Sequence, residues 1–221
     1  MIKHAKLLLI ASAGVLFAYA ASAETPVAIV EEISGSPPGI EFMDYVYAGK
    51  VVRLGSRDSI VLSYLDSCWR EKITGGTITI GSEQSLVEGG KVERTKIVCD
   101  AGKMLLTAEL AGKNAAMVFR APQRPEFTLY GLSPIVEVNP GSTLLIERLD
   151  QSGERYEVVI TDKQLLHGTF YDLAKAHESL TAGGIYRASA GTQQLVFKID
   201  ANAKPGMAPI AGRLLRLQPA N

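Results

Sequence analysis

Residues 71–80 read Glu71-Lys72-Ile73-Thr74-Gly75-Gly76-Thr77-Ile78-Thr79-Ile80. A few positions on, residues 85–97 read Ser85-Leu86-Val87-Glu88-Gly89-Gly90-Lys91-Val92-Glu93-Arg94-Thr95-Lys96-Ile97. In both stretches β-branched and apolar residues alternate with polar ones on either side of a glycine pair. A period of two is the pattern of a half-buried strand, and glycine accepts the positive φ that tight hairpin turns demand. The spacing predicts two hairpins, turning at Gly75-Gly76 and Gly89-Gly90. Ile73, Ile78, Ile80, Leu86, Val92 and Ile97 form the apolar side of the resulting meander.

Strand signals continue toward the N-terminus. Residues 27–33 are β-rich and end in the turn-forming run Ser34-Gly35-Ser36-Pro37-Pro38-Gly39. Residues 50–54 and 59–65 are expected as strands, separated by a turn at Gly55-Ser56-Arg57-Asp58. On the C-terminal side, residues 104–112 are the least β-like and read as a short helix, and 117–120 as a closing strand. Pro122 and Pro125 disfavour both helix and ladder, which puts a domain boundary near Gln123. Beyond it, short strands at 127–130, 135–138, 143–148, 156–160, 185–188, 194–199 and 212–217 alternate with turns, and 171–178 reads as one or two helical turns. The regular spacing predicts a sandwich or barrel.

The first residues are basic at Lys3 and Lys6. An apolar run of about 14 residues follows, short of the roughly 20 that span a bilayer, and then Ala21-Ser22-Ala23. This is the three-part pattern of a cleaved secretory signal over 1–23. Removal would leave 198 of the 221 residues and shift the net charge from zero to −2, because two lysines and no acid are lost. The expected location is periplasmic or secreted. No later segment is expected to span a membrane, and so balanced a charge gives no footprint for nucleic acid. Cys68 and Cys99 are the only cysteines. In an oxidising compartment they are expected to pair, closing a loop of about 32 residues for roughly 3.5–4 kcal/mol.

Few residues offer chemistry. Gly-x-Ser-x-Gly, Gly-x-Gly-x-x-Gly and P-loop patterns are all absent. After His4 leaves with the signal, His167 and His177 are the only imidazoles, without metal-ligand spacing. The enzyme alternative is a hydrolase using one of them with a nearby serine and Asp162 or Asp172. No cofactor or metal is expected. Aromatics make up 7% of the chain with one Trp, too few for the sugar-lined cleft of a glycosidase. Phe42, Tyr45 and Tyr47 are the densest aromatic group, and Tyr45 and Tyr47 alternate along a strand. Together with Trp69, beside Cys68, they are the candidate binding residues.

A strand ending in Ser34-Gly35, a Gly49-Lys50 turn, Asp58-Ser59-Ile60-Val61-Leu62 and a strand ending Ile80-Gly81-Ser82 together resemble the periplasmic FecR-like domain over residues 27–98. Ser67-Cys68-Trp69-Arg70-Glu71 with Cys99-Asp100-Ala101-Gly102-Lys103 is similar to a set of uncharacterised bacterial exported proteins. The second half is similar in layout to the Ig-like or fibronectin-like module that can follow such domains. The fold class expected is mainly β: a FecR-like domain over 24–122 and an Ig-like β-sandwich over 123–221, after the signal peptide. Family members that regulate iron uptake add a cytoplasmic segment and a membrane helix. This chain shows only a signal and an exported part, so the resemblance implies a recognition or assembly module for an envelope protein or glycan. A small-ligand binding protein, with a deep aromatic cavity, is the third expectation.

Overall fold

The pairing of strands changes the reading of both glycine pairs. In the computed structural model, which describes residues 24–97, 99, 125, 127–204 and 209–219, the protein is mainly β. The first half forms one antiparallel sheet from β1 (Ala28–Ser34), β2 (Tyr45–Val46), β3 (Val51–Tyr64), β4 (Trp69–Thr79), β5 (Leu86–Glu88) and β6 (Lys91–Lys96). Its order is β2-β1-β3-β4, with β5 and β6 both on the far edge of β4.

Thr79 faces Leu86, Thr77 faces Glu88, Thr74 faces Lys91 and Trp69 faces Lys96, a single unbroken register. Gly75-Gly76 therefore lies inside β4, opposite Gly89-Gly90, and neither pair turns the chain. The reversal comes between them, after Ile80. The glycines are needed because the two backbones touch. A Cβ on Gly76 would overlap the Glu88 carbonyl and lie 2.6 Å from Gly90 N, and one on Gly90 would overlap the Gly75 carbonyl. Glycine marks close backbone approach here as well as positive φ.

β3 answers this crossing. Leu54 faces Gly76 but Ser59 faces Thr74, so β3 advances five steps against two of β4. The expected turn at 55–58 is thus a bulge within one strand, closed by a hydrogen bond from Gly55 N to Asp58 Oδ2 at 3.0 Å. Such bulges bend the strand that carries them. One face of the bent sheet buries Val30, Val52, Ile60, Leu62, Tyr64, Ile73 and Ile78. A polar cluster anchors the β4–β5 turn. The fully buried Glu71 accepts from Arg94 Nε at 2.6 Å and from Ser85 N at 3.1 Å, and Tyr64 Oη meets Ser85 Oγ at 2.8 Å. Burial, partly offset by the Ser85 bond, pushes the Tyr64 phenol up to about 12.

The second half packs two sheets. One has the order β10-β9-β13-β14-β16, with β7 beside β14, and comprises β7 (Phe127–Leu129), β9 (Thr143–Arg148), β10 (Arg155–Val159), β13 (Ile185–Ala190), β14 (Gln193–Ile199) and β16 (Gln218–Pro219). The other has the order β11-β12-β8-β15, from β8 (Ile135–Glu137), β11 (Leu165–Leu166), β12 (Phe170–Asp172) and β15 (Leu214–Arg216). Leu144, Ile146, Tyr186 and Phe197 of the first meet Val136, Tyr171 and Leu215 of the second in one buried core. Tyr171 and Asp172, expected in a helical turn, belong to β12, and a single turn follows them, with Ala176 N bonding Asp172 O at 3.2 Å.

Cys68 and Cys99 form a disulfide, with Cα atoms 5.8 Å apart. The signal segment 1–23, the expected helix at 104–112, the strand at 117–120 and the boundary near Gln123 lie outside the described residues.

Candidate functional site

The small sheet of the second half buries apolar side chains on both faces, and its outer face, which also carries charges, meets the first half. Register places Phe170 opposite Glu137 and Glu137 opposite Arg216, with Asp172, Ile135 and Leu214 in the next parallel row. Ile135, Phe170 and Leu214 bury against Ile29, Met43 and Leu65 of the first half. Ile29 and Leu65 lie on the face of the first sheet turned away from its own core, so β1 is covered on both sides. The halves are thus joined by a continuous apolar seam.

At one end the seam opens into a groove of about 560 Å³. Its floor on one side is the row Phe170–Glu137–Arg216, with His167 and Thr169 from the β11–β12 turn. The other side is the β1–β2 loop, residues 35–44, which brings Pro37, Ile40, Glu41, Phe42 and Asp44. Phe42 stacks on the His167 ring with centroids 4.3 Å apart and an interplanar angle of 28°, and meets Phe170 edge-on at 5.5 Å. Arg216 reaches across to donate from Nη2 to the Met43 carbonyl at 2.9 Å, and its Nε lies 3.4 Å from Glu137 Oε2. Asp44 holds the loop by accepting from Glu41 N at 2.8 Å.

Two residues here adopt the left-handed conformation that most L side chains avoid: His167 at φ 48°, which lines the groove, and Met43 at φ 67°, buried behind the facing loop. Each costs about 1–3 kcal/mol and persists only where its surroundings impose it, and such residues gather at functional sites. The surroundings impose it at Met43, whose side chain is wholly buried in the seam. Tyr45 sits beside Arg216. Burial pushes its phenol up to about 12, against the pull of the Arg216 charge.

The sequence candidates separate in space. Phe42 lines the groove, and Tyr45 packs into the seam with its hydroxyl buried. Tyr47 lies just past the end of the two-residue strand β2, half-buried. Trp69 belongs to the core on the other face of the first sheet, half-buried beneath the Lys96 ammonium 4.7 Å from its ring centroid. Cys99 packs at the edge of the seam. His167 and His177 are exposed, and among the described residues no hydrogen bond joins either imidazole to a serine or aspartate. Asp172 is buried and engaged by Arg213, and Asp162 is exposed in a short 3₁₀ turn. Among the described residues no cluster of three His, Cys, Asp or Glu side chains gathers for a metal.

Glu137 and Arg216 were not among the sequence candidates. A signal for them exists: Ile135-Val136-Glu137-Val138 and Leu214-Leu215-Arg216-Leu217 are both apolar runs broken by one charge at the third position. Comparison of the chain with protein-family models, with curated proteins and with solved structures finds no match.

Proposed function

We propose that this protein is a non-enzymatic module of the bacterial envelope, exported by its N-terminal signal, that binds a protein or glycan in the groove between its halves. The observation that carries this reading is the composite wall: Glu41 and Phe42 from one half, His167, Glu137 and Arg216 from the other, meeting over a buried apolar seam. Neither half has the site alone. Its volume falls within the roughly 300–1,000 Å³ of ligand pockets, and it mixes aromatic faces with a few polar groups as such pockets do. The resemblance to FecR-like and Ig-like modules supports a recognition role, and the disulfide suits an oxidising compartment.

The test compares the purified chain with a Phe42→Ala/His167→Asn variant for what each retains from an envelope extract. Asparagine tolerates the left-handed backbone at 167, so the variant keeps its turn while losing both rings. The wild type is expected to retain a reproducible component that the variant loses. Equal retention by both would refute the groove as the binding surface.

A further inference from the structure

Three buried side-chain polar atoms among the described residues have no hydrogen-bond partner: Tyr45 Oη, Ser63 Oγ and Arg216 Nε. Their positions are related. Tyr45 faces Ile29 across β1–β2, and Ile29 faces Ser63 across β1–β3, so all three residues stand in one row on the seam side of the first sheet. Arg216 meets this row from the other half through Met43. An unpaired buried polar group is rare because it loses its bonds to water without replacement. Here they are gathered at one seam, beside a groove.

Arg216 carries five N–H donors; one bonds the Met43 carbonyl, and Nε, without a hydrogen bond, stands 3.4 Å from Glu137 Oε2 in an ion pair, which leaves the others. The side chain remains partly exposed, at 38%. The groove therefore offers spare guanidinium donors next to the carboxylate acceptors of Glu41 and Glu137. A cationic ligand supplies no acceptor for Arg216, since ammonium and guanidinium groups only donate. An anionic ligand supplies the acceptor but brings its charge against Glu41, Asp44 and Glu137. A hydroxyl both donates and accepts, and carries no charge. An extended peptide also offers both functions, but it is bound best along a free strand edge. Phe170 and Glu137 lie on interior strands of their sheet, so this wall presents side chains and not backbone.

We propose that the groove takes a neutral, polyhydroxylated ring, a sugar unit of a glycan, with its hydroxyls shared between Arg216 and the Glu137 and Glu41 carboxylates and its apolar face on the His167 ring. Phe42 already covers one face of that ring and His167 is exposed, which leaves the other face to the ligand. The inference rests on the groove being the binding surface and adds what kind of ligand it accepts.

The experiment titrates the isotope-labelled full chain with neutral trisaccharides of glucose, mannose, galactose and N-acetylglucosamine, and separately with trilysine, triglutamate and trialanine, following backbone amide shifts. At least one trisaccharide is expected to move the amides of Phe42, Glu137, His167 and Arg216. Its affinity should fall at least tenfold in Arg216→Lys, which keeps the charge and loses the planar fork, and in His167→Asn, which keeps the turn and loses the ring. Melting temperature and the undisturbed amides of the second core report that both variants are folded. Groove shifts with a peptide and none with any sugar would overturn the ligand class while leaving the groove in place. Sugar-induced shifts away from the groove, insensitive to both variants, would overturn the groove itself. No shift with any sugar overturns the inference.

Discussion

Gly90→Ala should be among the most damaging single-methyl additions in the first half, although the position is exposed and lies between the edge strands β5 and β6. The added Cβ would overlap the Gly75 carbonyl oxygen and lie 2.9 Å from Gly75 C and 3.1 Å from Thr74 O, all backbone atoms that no rotamer change can move. Relief requires β4 and β6 to part at the crossing. That weakens about two cross-strand hydrogen bonds at roughly 1 kcal/mol each, and overpacking adds about 1 kcal/mol or more. The expected loss is about 3 kcal/mol. For a chain of this size, at about 2–4 °C per kcal/mol, the melting temperature drops by about 6–12 °C. Gly89→Asn is the internal control. Gly89 has φ 67°, which asparagine accepts, and no atom lies within 4 Å of its Cβ position, so this variant should melt within about 2 °C of wild type. A hairpin turn at Gly89-Gly90 would tolerate both substitutions to a similar degree. If Gly90→Ala melts with the wild type, the close crossing is wrong.

Four further outcomes are expected. Arg94→Met leaves the buried Glu71 carboxylate with only the Ser85 N–H and should cost about 2–4 kcal/mol in urea unfolding, less than a fully buried pair because Arg94 is partly exposed; adding Glu71→Gln should recover part of it. Removing the disulfide by Cys68→Ser/Cys99→Ser should cost about 2–4 kcal/mol, read from the same melts under oxidising conditions. Tyr45→Phe deletes a buried hydroxyl that has no partner and should leave stability unchanged or raise it by about 1 kcal/mol; a clear loss would mean the hydroxyl is hydrogen-bonded in solution. Asp150 is held down to about 2 by hydrogen bonds from Arg148 and from the Ile185 amide. Its folded pKa lies below the unfolded value, so its contribution is complete above about pH 4 and fades as pH falls toward 2; urea midpoints of wild type and Asp150→Asn should therefore converge over that range, and a constant gap would refute the assignment.

Much of the second half was legible because most of its strands obey local rules; β11 and β12 were not, since two- and three-residue strands carry too little periodicity to read. The expected strand over 143–148 and the observed β9 coincide. The cysteine pair was legible from count and the expected export. The glycine pairs were not, because the same dipeptide serves a turn and a close crossing. What decides between them is cross-strand register, which joins Gly76 to Gly89 through a reversal that local pattern places equally well at either pair. The left-handed backbone at Met43 left no trace either, since methionine does not favour it; histidine is among the types enriched there, but a single histidine does not mark the position.

The groove was half legible, and the reason lies in sequence distance. Phe42 and Tyr45 stand close together and could be found as an aromatic group, but their partners come from residues 137, 167 and 216. The hydrogen bond from Arg216 to Met43 spans 173 positions. Strands covered on both faces read as continuous apolar runs, so a lone charge in such a run is costly unless something requires it. Glu137 and Arg216 are such charges, opposite in sign, and the parallel pairing of β8 and β15 sets them side by side. Had they served only each other, the pair would need no opening beside it. They face instead into the groove where the halves part, with guanidinium donors left over, and that surplus is the feature a ligand would answer.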